Sequence, residues 1–155
     1  MTRRDERGQT GVELVASGVL ALAAPAGYVV SGGSSSLQAW ILWGLTWFQS
    51  AASIIFIALR LKQRRIKVLP GPRARWVQAW QAIAYSAFNL LCSISLAVFA
   101  LIPALVPVAF GLMLVDVLEG AAHPPVGARP AGLGARQLLA STTFVAVVSI
   151  GYLVA

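Results

Sequence analysis

Charge is what this sequence has least of. Only 11% of its 155 residues are Asp, Glu, Lys or Arg, whereas 58% are hydrophobic. A soluble domain usually carries about 25% charged residues, and a chain with less than half that share cannot cover a compact particle with solvated side chains. Such a surface suits lipid. Cysteine is nearly missing as well. Cys92 stands alone inside an apolar run, which excludes a disulfide framework and a CxxC redox or metal motif, and it reads as a small buried hydrophobe. With His123 the one histidine, a haem or zinc site made from this chain alone has no basis. No Walker A, GxSxG, HExxH or GxGxxG arrangement occurs. Nothing argues positively for catalysis, and no cofactor is implied.

What the chain does have is long apolar runs. A membrane β-barrel shows segments of about 10 residues alternating apolar and polar. These runs do not alternate, so the expectation is all-α. One span takes roughly 20 apolar residues, because the hydrocarbon core is about 30 Å thick and a helix rises about 1.5 Å per residue. On that measure the chain is a single domain with spans over about residues 11–30, 37–59, 77–101, 104–119 and 137–155. The first run reads as a span rather than a cleaved signal peptide, since it is span-length and holds Pro25. A neutral turn, Ser31–Ser36, follows it. The segment RLKQRRIKVLPGPRAR, Arg60 to Arg75, is too charged for lipid, and the basic loop is placed over 60–76. Trp76 to Leu118 is too long for one span, and Pro103 and Pro107 mark the turn within it.

The cations support this count. Arg3, Arg4 and Arg7 precede span one; Arg60, Lys62, Arg64, Arg65, Lys67, Arg73 and Arg75 lie between spans two and three; Arg129 and Arg136 lie between spans four and five. All twelve Lys and Arg therefore fall on one side of a five-span zigzag. The positive-inside rule puts the N-terminus in the cytoplasm and the C-terminus outside. The expectation is an integral membrane bundle of about five transmembrane helices, multi-pass in the cell membrane.

Polar groups within the runs are few. Glu13 falls in the first turn of the first span, where a helix dipole favours a carboxylate. Gln49 and Asn89 lie deeper, and such amides hydrogen-bond across helices. Asp116, Glu119 and His123 end span four at i, i+3 and i+7, one helical face if the helix persists, though Pro124 breaks its last turn. Two carboxylates and an imidazole can hold a divalent metal or relay protons; they can equally pair with the 60–75 cations, and the latter is favoured. The basic segment itself fixes topology and attracts anionic headgroups, each cation contributing about 1 kcal/mol near the surface. A phosphorylated substrate is the sharper alternative, and nucleic acid is not an expected partner. Trp40, Trp43 and Trp47 near one end of span two, and Trp76 and Trp80 at the start of span three, read as interfacial belts. An aromatic ligand cage is the other reading.

Two stretches, ELVASGVLALAAPAGYVVSGG and AWILWGLTWFQSAASIIFIALRLKQRR, resemble the middle of the YwiC-like membrane-protein family, and GARPAGLGARQLLASTTFVAVVSIGYLVA resembles its C-terminal end. The resemblance implies a polytopic membrane protein and supplies no reaction. Members are longer at the N-terminus, with a His-rich apolar segment of the form HEHGAW, so this chain resembles a shortened member. The family's loose likeness to polyprenyl-transferring enzymes would require aspartate-rich motifs for magnesium diphosphate, and the aspartates here are Asp5 and Asp116.

Three functions stand in order. The first is a non-enzymatic accessory or subunit-like membrane protein whose partners are lipids, other membrane subunits or a second copy. The second is a small-solute carrier or channel using Gln49, Asn89 and Asp116. The third is an isoprenoid- or lipid-handling enzyme built on Asp116, Glu119, His123 and the basic segment.

Overall fold

A computed structural model describes the chain from residue 3 to residue 155 apart from residue 67, with side chains from residue 10 onward. Among these residues all regular structure is helical: α1 Arg3–Leu20, α2 Ala23–Val30, α3 Ser36–Arg64, α4 Pro72–Val98, α5 Leu105–Ala122 and α6 Pro130–Val154. Five stretches are long and apolar enough to cross a membrane: Thr10–Val30, which runs through α1 and α2, and helices α3 to α6. The chain divides into two compact units, one ending at Ile55 and the other beginning at Phe56, so the boundary falls within α3.

In the first unit, Pro25 separates α1 from α2. It has no N–H to give the Ala21 carbonyl, and its ring crowds that group. The ladder tightens to i−3 bonds there, Leu22 N–H to Val19 O (3.1 Å) and Ala24 N–H to Ala21 O (3.1 Å). With Leu22 turned to Val19, the Gly18 carbonyl accepts the indole N–H of Trp43 instead, at 2.9 Å. One turn back, Leu14 O accepts the indole of Trp47 at 3.1 Å. The two pairs run in opposite chain directions, so α1 and this part of α3 are antiparallel. Trp43 and Trp47 stack at 5.1 Å. They are therefore helix-to-helix ties, whereas Trp40 is largely exposed.

In the second unit α5 packs against both α4 and α6. Its buried residues Val106, Phe110, Met113, Val117 and Gly120 recur every four then three positions, and α4 answers with Ala79, Ala82, Ser86, Asn89 and Ser93 in the same rhythm. A 3.5-residue repeat keeps two helices in register along one seam. The small side chains of α4 matter because lipid gives apolar helices no drive to associate, so they must approach closely enough for dispersion and hydrogen bonds to hold them. Phe110 also meets Phe144 of α6 edge-on, with centroids 4.9 Å apart.

The turn between α4 and α5 differs from the expectation. Pro103 lies in it, but Pro107 is inside the first turn of α5, where the helix has no hydrogen bond to lose. The chain reverses through a Schellman motif: Ala100 N–H bonds Ala97 O and Leu101 N–H bonds Leu96 O, both at 2.9 Å. Helix α2 closes identically, with Gly32 N–H to Val29 O at 3.0 Å and Gly33 N–H to Tyr28 O at 2.9 Å. The motif needs one left-handed residue. Gly32 supplies it freely at φ 94°, whereas Ala100 is held at φ 54° with a Cβ in the way. Ala100→Gly should raise the thermal midpoint in detergent, read by circular dichroism, through relief of about 1 kcal/mol of left-handed strain.

Candidate functional site

The chemistry-bearing residues expected from the sequence gather at the C-terminal end of α5, and proline is the local cause. In a helix the Gly120 carbonyl would accept from residue 124 and the Ala121 carbonyl from residue 125, but Pro124 and Pro125 have no N–H to give. The end of α5 is left with bare carbonyls carrying the negative end of its dipole. Arginines from two helices meet three of the carbonyls at this end. Arg60, from the last turns of α3, donates through Nη1 to Gly120 O (3.0 Å) and His123 O (3.1 Å). Arg75, from the first turn of α4, donates through Nη1 to Ala122 O (2.9 Å) and through Nε to Pro70 O (2.7 Å). The Gly127 N–H reaches Arg64 O at 3.2 Å, so the end of α3 receives a bond in return.

Arg60 therefore lies away from the headgroup position expected of it. It is only 6% exposed. Its guanidinium sits 5.5 Å from the centroid of the Phe56 ring, a cation–π arrangement. Both side chains come this close to α5 because residue 120 is glycine. A Cβ there would lie 2.5 Å from Phe56 Cζ and 2.8 Å from Arg60 Nη1.

The basic segment is less of a loop than expected. Arg60, Lys62 and Arg64 belong to α3, Arg73 and Arg75 to α4, and the non-helical connection spans only 65–71. Lys62, Arg65 and Arg73 are exposed; Lys67 lies outside the described residues.

Asp116 and Glu119 do share a face, but the cation that meets them comes from α6. Arg136 donates through Nε to Asp116 Oδ1 at 2.9 Å and through Nη2 to Asp116 Oδ1 and Glu119 Oε2 at 2.5 and 2.7 Å. One guanidinium thus clips two carboxylates a turn apart. The expected pairing with the 60–75 segment is replaced by this one: the carboxylates meet Arg136, and Arg60 bonds to carbonyls. His123 does not extend the acidic face. It ends α5, with its backbone N–H on Glu119 O at 2.9 Å and its ring Nδ1 3.3 Å from the same oxygen. Among the described residues no three His, Cys, Asp or Glu side chains come together as a metal ion needs.

The other residues singled out are spread along the helices. Glu13 is exposed on α1, which starts at Arg3, so Glu13 lies well inside the helix and the dipole argument for it fails. Gln49 is buried and donates through Nε2 to Ser53 Oγ at 3.2 Å, within its own helix. Asn89 is buried on the α4 seam.

Gln63 was not singled out. It is 1% exposed, and neither its amide oxygen nor its nitrogen has a hydrogen-bond partner. It lies one turn after Arg60 on α3, facing inward beside it. Its place in the run RLKQRR hid it; an i, i+3 reading onto Arg60 would have found it once Arg60 was known to be buried.

Compared with known proteins, the chain matches no family model, no curated protein and no solved structure. The geometry alone describes the site: a helix end closed by arginines from two neighbouring helices, with an ion-paired clip alongside. Gly120→Ala should lower the thermal midpoint by an amount equivalent to roughly 1–3 kcal/mol, since two buried side chains must shift. Neutralising Arg136 alone (Arg136→Gln) should cost on the order of 1 kcal/mol, given its partial exposure. Adding Asp116→Asn and Glu119→Gln should restore most of that, and a thermal-shift series across these variants measures the coupling.

Proposed function

We propose that the chain is a multi-pass membrane protein of the cell membrane, with a cytoplasmic N-terminus and an external C-terminus, acting as a non-enzymatic, subunit-like component. The observation that carries this reading is the engagement of Arg60, Arg75, Arg136, Asp116 and Glu119 with the fold itself. Arg60 and Arg75 close α5, and Arg136 binds the Asp116–Glu119 pair. A charged group in a membrane protein commonly marks a substrate path or a proton relay; here these groups hold helices to one another. The orientation rests on the positive-inside rule, with all twelve Lys and Arg on one side of the five-span zigzag. Membership of the YwiC-like family is part of the same proposal and rests on the phrases within 13–65 and 127–155.

Buried Gln49, with Ser50 and Ser53 bonded to it on α3, favours a second reading, a small-solute carrier. Flux through reconstituted vesicles, abolished by Gln49→Leu, would put that reading first.

Native mass spectrometry after gentle extraction from the host membrane tests the main proposal. A stoichiometric second polypeptide is the expected result. A homomer that carries only lipid would overturn the subunit role. Reporter fusions at the two ends should place the N-terminus inside and the C-terminus outside.

A further inference from the structure

Six of the cations at this end of the second unit fall into two groups. Arg60, Arg75 and Arg136 are bonded within the fold. Lys62 on α3, Arg73 on α4 and Arg129 at the N-cap of α6 are exposed. The internal bonds tie together the helix ends that carry the exposed group. Arg60 and Arg75 hold the end of α3 and the start of α4 against the same end of α5, and the Gly127–Arg64 bond adds the connection that leads to α6. Lys62, Arg73 and Arg129 thus stand, exposed, at helix ends that these bonds tie to one junction.

The apolar side chains among these cations are exposed as well. Val68 is 77% and Leu69 53% exposed in the connection between Lys62 and Arg73, and Trp76 is 45% exposed one turn after Arg73. Val77 and Trp80 continue the exposed strip along α4. A site for a free phosphate would need the cations and have no use for aliphatic and indole groups turned outward beside them. A phospholipid needs both: cations at the depth of its phosphate, indoles at the headgroup level and aliphatic side chains at the start of its acyl chains.

We propose that this junction is a binding site for the headgroup of an anionic phospholipid, with Lys62, Arg73 and Arg129 meeting the phosphodiester and Val68, Leu69 and Trp76 seating against the upper acyl chain. The inference rests on the reading of the chain as membrane-embedded. The division of labour explains why the segment holds so many cations: the inward set closes α5, and the outward set faces lipid.

The test uses the full chain, purified in neutral detergent and offered equal amounts of phosphatidylglycerol and phosphatidylcholine, with bound lipid counted by native mass spectrometry. Wild type should retain phosphatidylglycerol in preference. Lys62→Gln/Arg73→Gln/Arg129→Gln should lose that preference by roughly tenfold or more, since cations near the surface each contribute measurably to headgroup attraction. Salt should erode the wild-type preference as it screens exposed charge. Val68→Ser/Leu69→Ser, which keeps every cation, should weaken lipid retention. Soluble glycerol phosphate should not displace the lipid; displacement would assign the site to a free phosphate and overturn the lipid proposal, as would equal retention of the two lipids or an unchanged triple variant. Flotation with vesicles of phosphatidylcholine alone separates the two levels. A chain that does not float refutes the membrane reading itself, whereas one that floats without preferring phosphatidylglycerol refutes only this site.

Discussion

The C-terminal end of α5 sets the terms for the unit around it. Two consecutive prolines, Pro124 and Pro125, withdraw the N–H groups that would have closed the helix. Unmet backbone carbonyls are costly wherever water is scarce, and at a membrane's edge the replacement must come from the protein or from headgroups. Arg60 and Arg75 bring it from two different helices. Gly120 lets the first of them in, Phe56 supports its guanidinium, and the positive charges meet the negative end of the α5 dipole. Helices α3, α4 and α5 are thereby fixed at one level by a defect in one of them. Arg136 sets the level of α6 against α5 by clipping Asp116 and Glu119 nearby.

The same logic, a freed carbonyl met by a side chain from a neighbouring helix, operates in the first unit with a different donor. Pro25 tightens the turn after Gly18, and the Trp43 indole takes the released oxygen. An indole suits this place, since it gives one N–H and presents otherwise apolar surface. An arginine suits the end of α5, where several carbonyls converge and a fork of donors can serve more than one. In both cases a carbonyl without its own helix's N–H is met by a side chain from elsewhere in the sequence.

Much of the architecture could be read from the sequence, because span length is a property of consecutive residues. The five long apolar helices are where the runs of apolar residues put them. What could not be read depended on which way a side chain faces. Arg60 sits in a run of cations and looks like a surface residue; only the missing donors of Pro124 and Pro125, far along the chain, explain its burial. Gln63 was hidden for the same reason. Pro107 looked like part of a turn because proline stops helices, yet proline is also at home in a helix's first turn. Glu13 looked like an N-terminal carboxylate because the polar residues before it were read as lying outside the helix, while the helix in fact starts at Arg3. Asp116 and Glu119 were correctly placed on one face, but their partner Arg136 had been counted only for its charge.

The arginine cap also has a consequence in time. Arg60 and Arg75 are synthesised well before Gly120, Ala122 and His123, the residues whose carbonyls they cover. Until those later residues have been made, Arg60 lacks both of its carbonyl partners and Arg75 has only Pro70 O. The cap is therefore a latch that closes late: its donors are in the chain long before its acceptors, and it can form only once α5 is in place.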